Sequence, residues 1–123
     1  MTKPGRLIYE MQAEICRSLA HPVRLQILDI LFEGERNSRD LQEVLDIPKA
    51  NLSQHLSVLK EAGLIETRRE GLFQYLSVSI PQIQEACLLV KKVLGEKLAG
   101  EERKNLEAQR ELTPPDRLKE EKR

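Results

Sequence analysis

From Ala50 to Val58 the chain reads ANLSQHLSV and carries no Lys, Arg, Asp or Glu. Asn51 and Gln54 each join a donor and an acceptor in one amide, the pairing an adenine edge presents in the major groove. Ala50 is small enough for close approach and can touch a thymine methyl. If Leu52, Leu56 and Leu59 point into a core, a helical wheel sets Ala50, Gln54 and Ser57 on the opposite face, with Asn51 beside them. Lys49 and Ser53 then lie on one flank and His55 on the other, positions suited to phosphate contact, and His55 could also reach a base. Arg68 and Arg69, beside a glycine, could add phosphate or minor-groove contacts. The plainer alternatives are a solvated helix face and an ordinary pair of surface charges. Solvated faces are usually crowded with Lys, Arg and Glu, and their absence here favours base readout.

A helix of this kind needs a scaffold, and hydrophobic spacing outlines one. Leu7, Ile8, Met11, Ile15 and Leu19 predict an amphipathic first helix after Pro4-Gly5. His21-Pro22 interrupts it, and because proline suits a first helical turn, VRLQILDILF should form a second, more apolar helix ending at Gly34. Asn37 or Ser38 can cap a short third helix carrying Leu41, Val44 and Leu45, which Asp46-Ile47-Pro48 then stops. The fourth helix starts beside Pro48 and ends at Gly63, completing the outline of a helix-turn-helix. LIETRRE and LFQYLSV, around Glu70-Gly71, read as a two-stranded wing. From Ile80, with Pro81 in its first turn, Ile83, Cys87, Val90 and Leu94 form a near-heptad stripe on a last long helix, apolar enough to suggest a dimer partner.

The expected fold is therefore mainly α with a small β-hairpin: five helices and a two-stranded wing in one domain over residues 1–100. Residues 101–123, mostly charge with a Pro114-Pro115 break, cannot bury much surface and read as a frayed helical extension running into a disordered tail. Two Phe, two Tyr and no Trp leave the core to Leu, Ile and Val, which disfavours an all-β sandwich. Neither a secretory signal nor a membrane-length apolar run is present, so the expected location is cytoplasmic. Twenty basic residues cancel twenty acidic ones, so any nucleic-acid contact must come from a local surface. No paired nucleophile and base, phosphate-cradling glycine loop or carboxylate cluster points to an enzyme.

LAHPVRLQIL (Leu19 to Leu28) followed by SQHLSVLKEAGLIETRREGLFQYLSV (Ser53 to Val78) resembles the arsenic-repressor type of winged-helix regulators, the ArsR/SmtB family, over roughly residues 7–98. The resemblance implies a homodimeric repressor, paired through its first and last helices, that binds an inverted-repeat operator in double-stranded DNA and is released by an inducer. It aligns Lys49 to His55 with the recognition helix and Arg68 to Gln74 with the wing. Metal-sensing members typically place thiols on the first helix of the helix-turn-helix, or acidic and histidine ligands on the last helix. Here Asn37, Arg39 and Gln42 occupy the aligned thiol positions, and Ile80 to Gly100 contains no histidine. Glu85 and Glu96 alone would not supply the borderline-soft ligands zinc or nickel favours, so no metal site of those kinds is expected. His21 reads as a helix-start residue.

Cys16 and Cys87 form no CxxC and lie far apart in sequence. The family architecture brings their helices together, so a thiol pair could switch the dimer by a disulfide or polysulfide bridge, or by binding trivalent arsenic. The alternative is that Cys87 is a small buried hydrophobe and Cys16 an incidental interface residue. A winged helix used only for protein contact is the rival to a DNA-binding regulator, because neutral charge does not demand DNA and such folds are reused.

Overall fold

The computed structural model describes residues 5–112. Among them five helices and three strands follow in the order α1 (Arg6–Leu19), α2 (Pro22–Phe32), β1 (Arg36–Asn37), α3 (Ser38–Leu45), α4 (Lys49–Glu61), β2 (Ile65–Glu70), β3 (Phe73–Val78) and α5 (Gln82–Leu112). The chain divides into two compact units, the first ending at Gln84 and the second beginning at Glu85.

In the first unit each helix boundary has a local cause. His21 starts α2 as expected: its Nδ1 accepts the Val23 N–H at 3.1 Å, and Pro22 follows where a missing N–H costs nothing. Asn37, the first of the two expected capping residues, accepts the Asp40 N–H at 2.9 Å and starts α3. Asp46 then turns the chain in the left-handed region (φ 51), a conformation its short polar side chain tolerates, and Pro48 leads into α4. At the far end of α4, Gly63 takes φ 76 and the Leu64 N–H reaches back to the Leu59 carbonyl at 3.0 Å. Leu64 and Ile65, both buried, then carry the chain into the sheet.

β2 and β3 pair antiparallel from Ile65↔Val78 to Glu70↔Phe73. Gly71 takes φ 61 at the first central position of the turn, where a type II′ hairpin needs it. The wing contains one strand more than expected: Arg36 and Asn37 pair with Leu76 and Tyr75, giving a sheet ordered β1-β3-β2. Two residues are too few to display strand periodicity, so this pairing arises from the partner edge rather than from a local pattern.

The core joins Ile27, Leu28 and Leu31 of α2, Leu41 of α3, Leu52, Leu56 and Leu59 of α4, and Leu64, Ile65 and Leu76 of the sheet region. Burial of each such side chain contributes about 1.5–3 kcal/mol. α2 is the apolar centre, as its composition predicts. α1 buries only Ser18 and leaves Leu7, Ile8, Met11 and Ile15 exposed.

In the second unit α5 runs without interruption past Gly100 to Leu112. Leu88, Val90, Val93, Leu94 and Leu98 on it are exposed. The expected disordered tail beyond Leu112 lies outside the described residues. Among the described residues no helix is long and apolar enough to cross a membrane.

Candidate nucleic-acid interface

The leucines of α4 set the rotation of that helix. Leu52, Leu56 and Leu59 are 3%, 6% and 0% exposed, which turns Ala50, Asn51, Ser53, Gln54 and Ser57 outward together. The expected amide and small-residue face is thus one continuous exposed surface. At its start Pro48 makes no side-chain cap, so the first-turn N–H groups of α4 remain available for an anion, with Lys49 beside them.

Across from this helix start, a groove of about 390 Å³ is lined by Arg39 and Gln42 of α3, Lys49 and Ser53 of α4, and Arg69, Phe73 and Gln74 of the wing. The Arg39 guanidinium lies 5.5 Å from the centroid of Phe73, a cation–π contact between α3 and the wing. Three cations facing one groove make the local positive surface that the neutral chain lacks as a whole. Arg39, Gln42 and Gln74 were not among the residues the sequence singles out for DNA contact. Arg39 could have been suspected from its place in the first turn of α3, but only the tertiary arrangement joins it to Arg69.

Arg68 points away from this groove, as strand alternation requires of a neighbour of Arg69. Its Nη2 donates to Glu35 Oε1 at 2.7 Å and its Nη1 to Glu70 Oε2 at 2.6 Å, while its guanidinium stacks 4.7 Å from the centroid of its cross-strand partner Tyr75. Hydrogen bonds to Glu35 and Glu70 hold the Arg68 guanidinium well above its usual range. Its charge is already answered by protein carboxylates.

His55 is turned toward the start of α2. It is half-buried, its Nδ1 lies 3.3 Å from Arg24 Nη1, and its ring centroid is 4.3 Å from that of His21. Burial, followed by the neighbouring His21 and Arg24, pushes its pKa below the ordinary 6.5. Of the residues expected to contact DNA, Lys49, Ala50, Asn51, Ser53, Gln54, Ser57 and Arg69 lie on the exposed α4 face or along the groove, and Arg68 and His55 hold protein partners.

Cys16 is exposed on α1, in the first unit, and Cys87 half-buried on α5, in the second. The positions that would carry thiols in metal-sensing relatives serve other ends: Asn37 caps α3, and Arg39 and Gln42 line the groove.

The pattern described as "Bacterial regulatory protein, arsR family" matches residues 21–67, from the start of α2 into β2. Over 93 residues the chain is 37% identical to the uncharacterized HTH-type transcriptional regulator Rv0081 of Mycobacterium tuberculosis, covering 75% of this chain and 82% of that protein. The crystal structure of Rv0081 superposes with a TM-score of 0.71 at 35% identity, covering 81% of this chain and 98% of that one. A solution structure of a homodimeric winged helix-turn-helix DNA-binding domain from Mycobacterium bovis, a possible ArsR-family regulator, gives a TM-score of 0.70 at 32% identity, covering 80% and 91%. A biofilm growth-associated repressor of Agrobacterium fabrum is 47% identical over 59 residues, 48% of this chain and 50% of that protein.

Proposed function

The chain belongs to the arsR family of bacterial regulatory proteins, and from that premise we propose that it is a homodimeric, sequence-specific repressor that reads an inverted-repeat operator through α4 and leaves it when an inducer binds. The observation that carries this reading is the outward face of α4, where Ala50, Asn51, Gln54 and Ser57 stand uncharged above three buried leucines. Asn51 and Gln54 are assigned to base edges. Lys49, Ser53, Arg39 and Arg69 are assigned to phosphates, which fix register without carrying sequence information.

Dimerisation through α1 and α5 is supported by the apolar side chains both helices leave exposed, Leu7, Ile8, Met11 and Ile15 on the one and Leu88, Val90, Leu94 and Leu98 on the other. The homodimeric M. bovis relative supports dimerisation as such. A two-fold dimer presents its two α4 helices to half-sites about one DNA turn, ~34 Å, apart. Repression rather than activation follows the A. fabrum relative, which is named a repressor.

The test is selection of bound duplexes from a random pool, then titration of the selected duplex at rising salt with fully reduced protein and with protein treated with a disulfide or polysulfide oxidant. The repressor reading expects an inverted repeat and an affinity that falls as salt rises. Reversible release by oxidant assigns the inducer to Cys16 and Cys87, and equal binding in both states assigns it elsewhere. If the pool yields no preferred sequence, the winged helix is an interaction module and the repressor reading fails.

A further inference from the structure

The Arg24 guanidinium joins three helices. Its Nε donates to the Ser18 carbonyl at 2.6 Å and its Nη2 to the Arg17 carbonyl at 3.2 Å, both at the C-terminal end of α1. From the first turn of α2, its Nη1 lies 3.3 Å from His55 Nδ1 on α4. The same guanidinium lines a groove of about 500 Å³ with Ser53, Gln54 and Ser57 of the outward α4 face. A residue that ties α4 to the rest of the fold thus sits behind the side chains assigned to base and phosphate contact.

Hydrogen-bond roles define the protonation state of this cluster. A guanidinium can only donate, so His55 Nδ1 must accept and carries no proton. His21 Nδ1 likewise accepts, from the Val23 N–H that it caps. Both rings therefore hold their proton on Nε2 when neutral. The titratable and charged groups acting on His55 are His21, at the start of α2, and Arg24. α1 faces the cluster with the carbonyls of Arg17 and Ser18, and α4 itself offers only uncharged Ser53, Gln54, Ser57 and Val58 around the groove.

We propose that Arg24 is a positioning residue for the operator-reading helix, acting through a neutral His55, so that discrimination between operator and other DNA is lost when His55 takes up a proton. This inference rests on the repressor reading of α4. A proton arriving from solvent occupies the Nδ1 lone pair, and the bond from Arg24 then becomes an N–H facing an N–H between two cations. His21, with ring centroids 4.3 Å apart, gives the new charge no counter-ion. Release of this contact frees α4 to shift beneath Gln54 and Ser57, while the added positive charge favours phosphate contact with any sequence. The ratio of operator to non-operator affinity is therefore the quantity that responds.

The experiment measures binding of the full-length protein to a duplex selected by the wild type from a random pool, and to a scrambled duplex, between about pH 7.5 and about pH 5.5, the range in which imidazoles titrate. The wild-type ratio is expected to fall about tenfold with acid while scrambled-duplex affinity holds or rises. His55→Gln, whose amide oxygen can accept from Arg24 and which has no proton to take up, should keep a pH-independent ratio. Arg24→Lys, one ammonium in place of a three-way fork, should lower the ratio at every pH. Imidazole NMR of the DNA-free protein supplies a second readout: the His55 titration point should rise in Arg24→Gln while the backbone amide spectrum around α4 and the core keeps its wild-type pattern, which separates loss of the Arg24 charge from loss of the burial that also lowers this pKa. A pH-independent wild-type ratio, a His55→Gln protein that keeps the full acid drop, or a His55 titration point unmoved in Arg24→Gln would each overturn the proposal. If the wild type selects no sequence at any pH, the repressor reading fails and this inference falls with it.

Discussion

Glu35 accepts a 2.7 Å hydrogen bond from Arg68 Nη2 across thirty-three positions of sequence, and with Glu70 it answers the charge of a wing arginine before any DNA arrives. The neighbouring Arg69 instead faces the groove with Lys49 and Arg39. Two adjacent arginines of the same strand are thereby given different electrostatic duties.

Replacing Glu35 with Gln should therefore raise affinity for all DNA sequences alike and steepen the dependence of log affinity on log salt by up to about 0.9, the contribution of one freed cation. Stability should change little, because the pair is solvent-exposed. Salt titrations on operator and random duplexes check both the direction and the evenness of the gain.

Arg69→Ala should weaken operator and random binding about equally and flatten the salt dependence by roughly 0.9, as expected for one lost phosphate contact. Arg68→Ala should do less, since its carboxylate partners already offset its charge. A larger loss at Arg68 than at Arg69, measured in the same salt series, would contradict this division.

The scaffold beneath α4 gives its own expectations. Leu59, fully buried, should cost about 2–5 kcal/mol when changed to Ala, through lost burial and the cavity left behind. Asn37→Ala should cost about 1 kcal/mol by leaving the Asp40 N–H without its cap. Urea unfolding of the two variants, read against wild type at one protein concentration because dimerisation contributes to stability, tests the order and the size.

Acid should also lower stability through His55. Its native pKa lies below the unfolded 6.5, so below that pH the unfolded chain binds more protons than the folded one. The stabilisation is complete above pH 6.5 and is lost as pH falls from there through the native value. Comparing urea midpoints of wild type and His55→Gln across this range should show a steeper acid loss in the wild type.

Much of this architecture is legible in local sequence. The spacing of Leu52, Leu56 and Leu59, Pro22 at the start of α2, the turn at Asp46-Ile47-Pro48, and the glycines at 63 and 71 each act within a few residues, and each element they predict is present. What was not legible depends on distant partners. β1 is too short to have a pattern and exists because Arg36 and Asn37 find the β3 edge. The engagement of Arg68 by Glu35, the contact of His55 with Arg24, and the convergence of Arg39 with Arg69 all join residues far apart in sequence. Composition places no such pairs, so the candidate interface read from sequence included two side chains that hold protein partners and omitted three that line the groove.

The most direct test of the central claim compares Gln54→Ala with wild type on the selected operator and on a scrambled duplex, at fixed salt and about pH 7.5. If the outward face of α4 reads bases, the variant loses about 1–3 kcal/mol on the operator, confined to one or two base positions, and little on the scrambled duplex. Equal losses on both duplexes, or none on the operator, would contradict it.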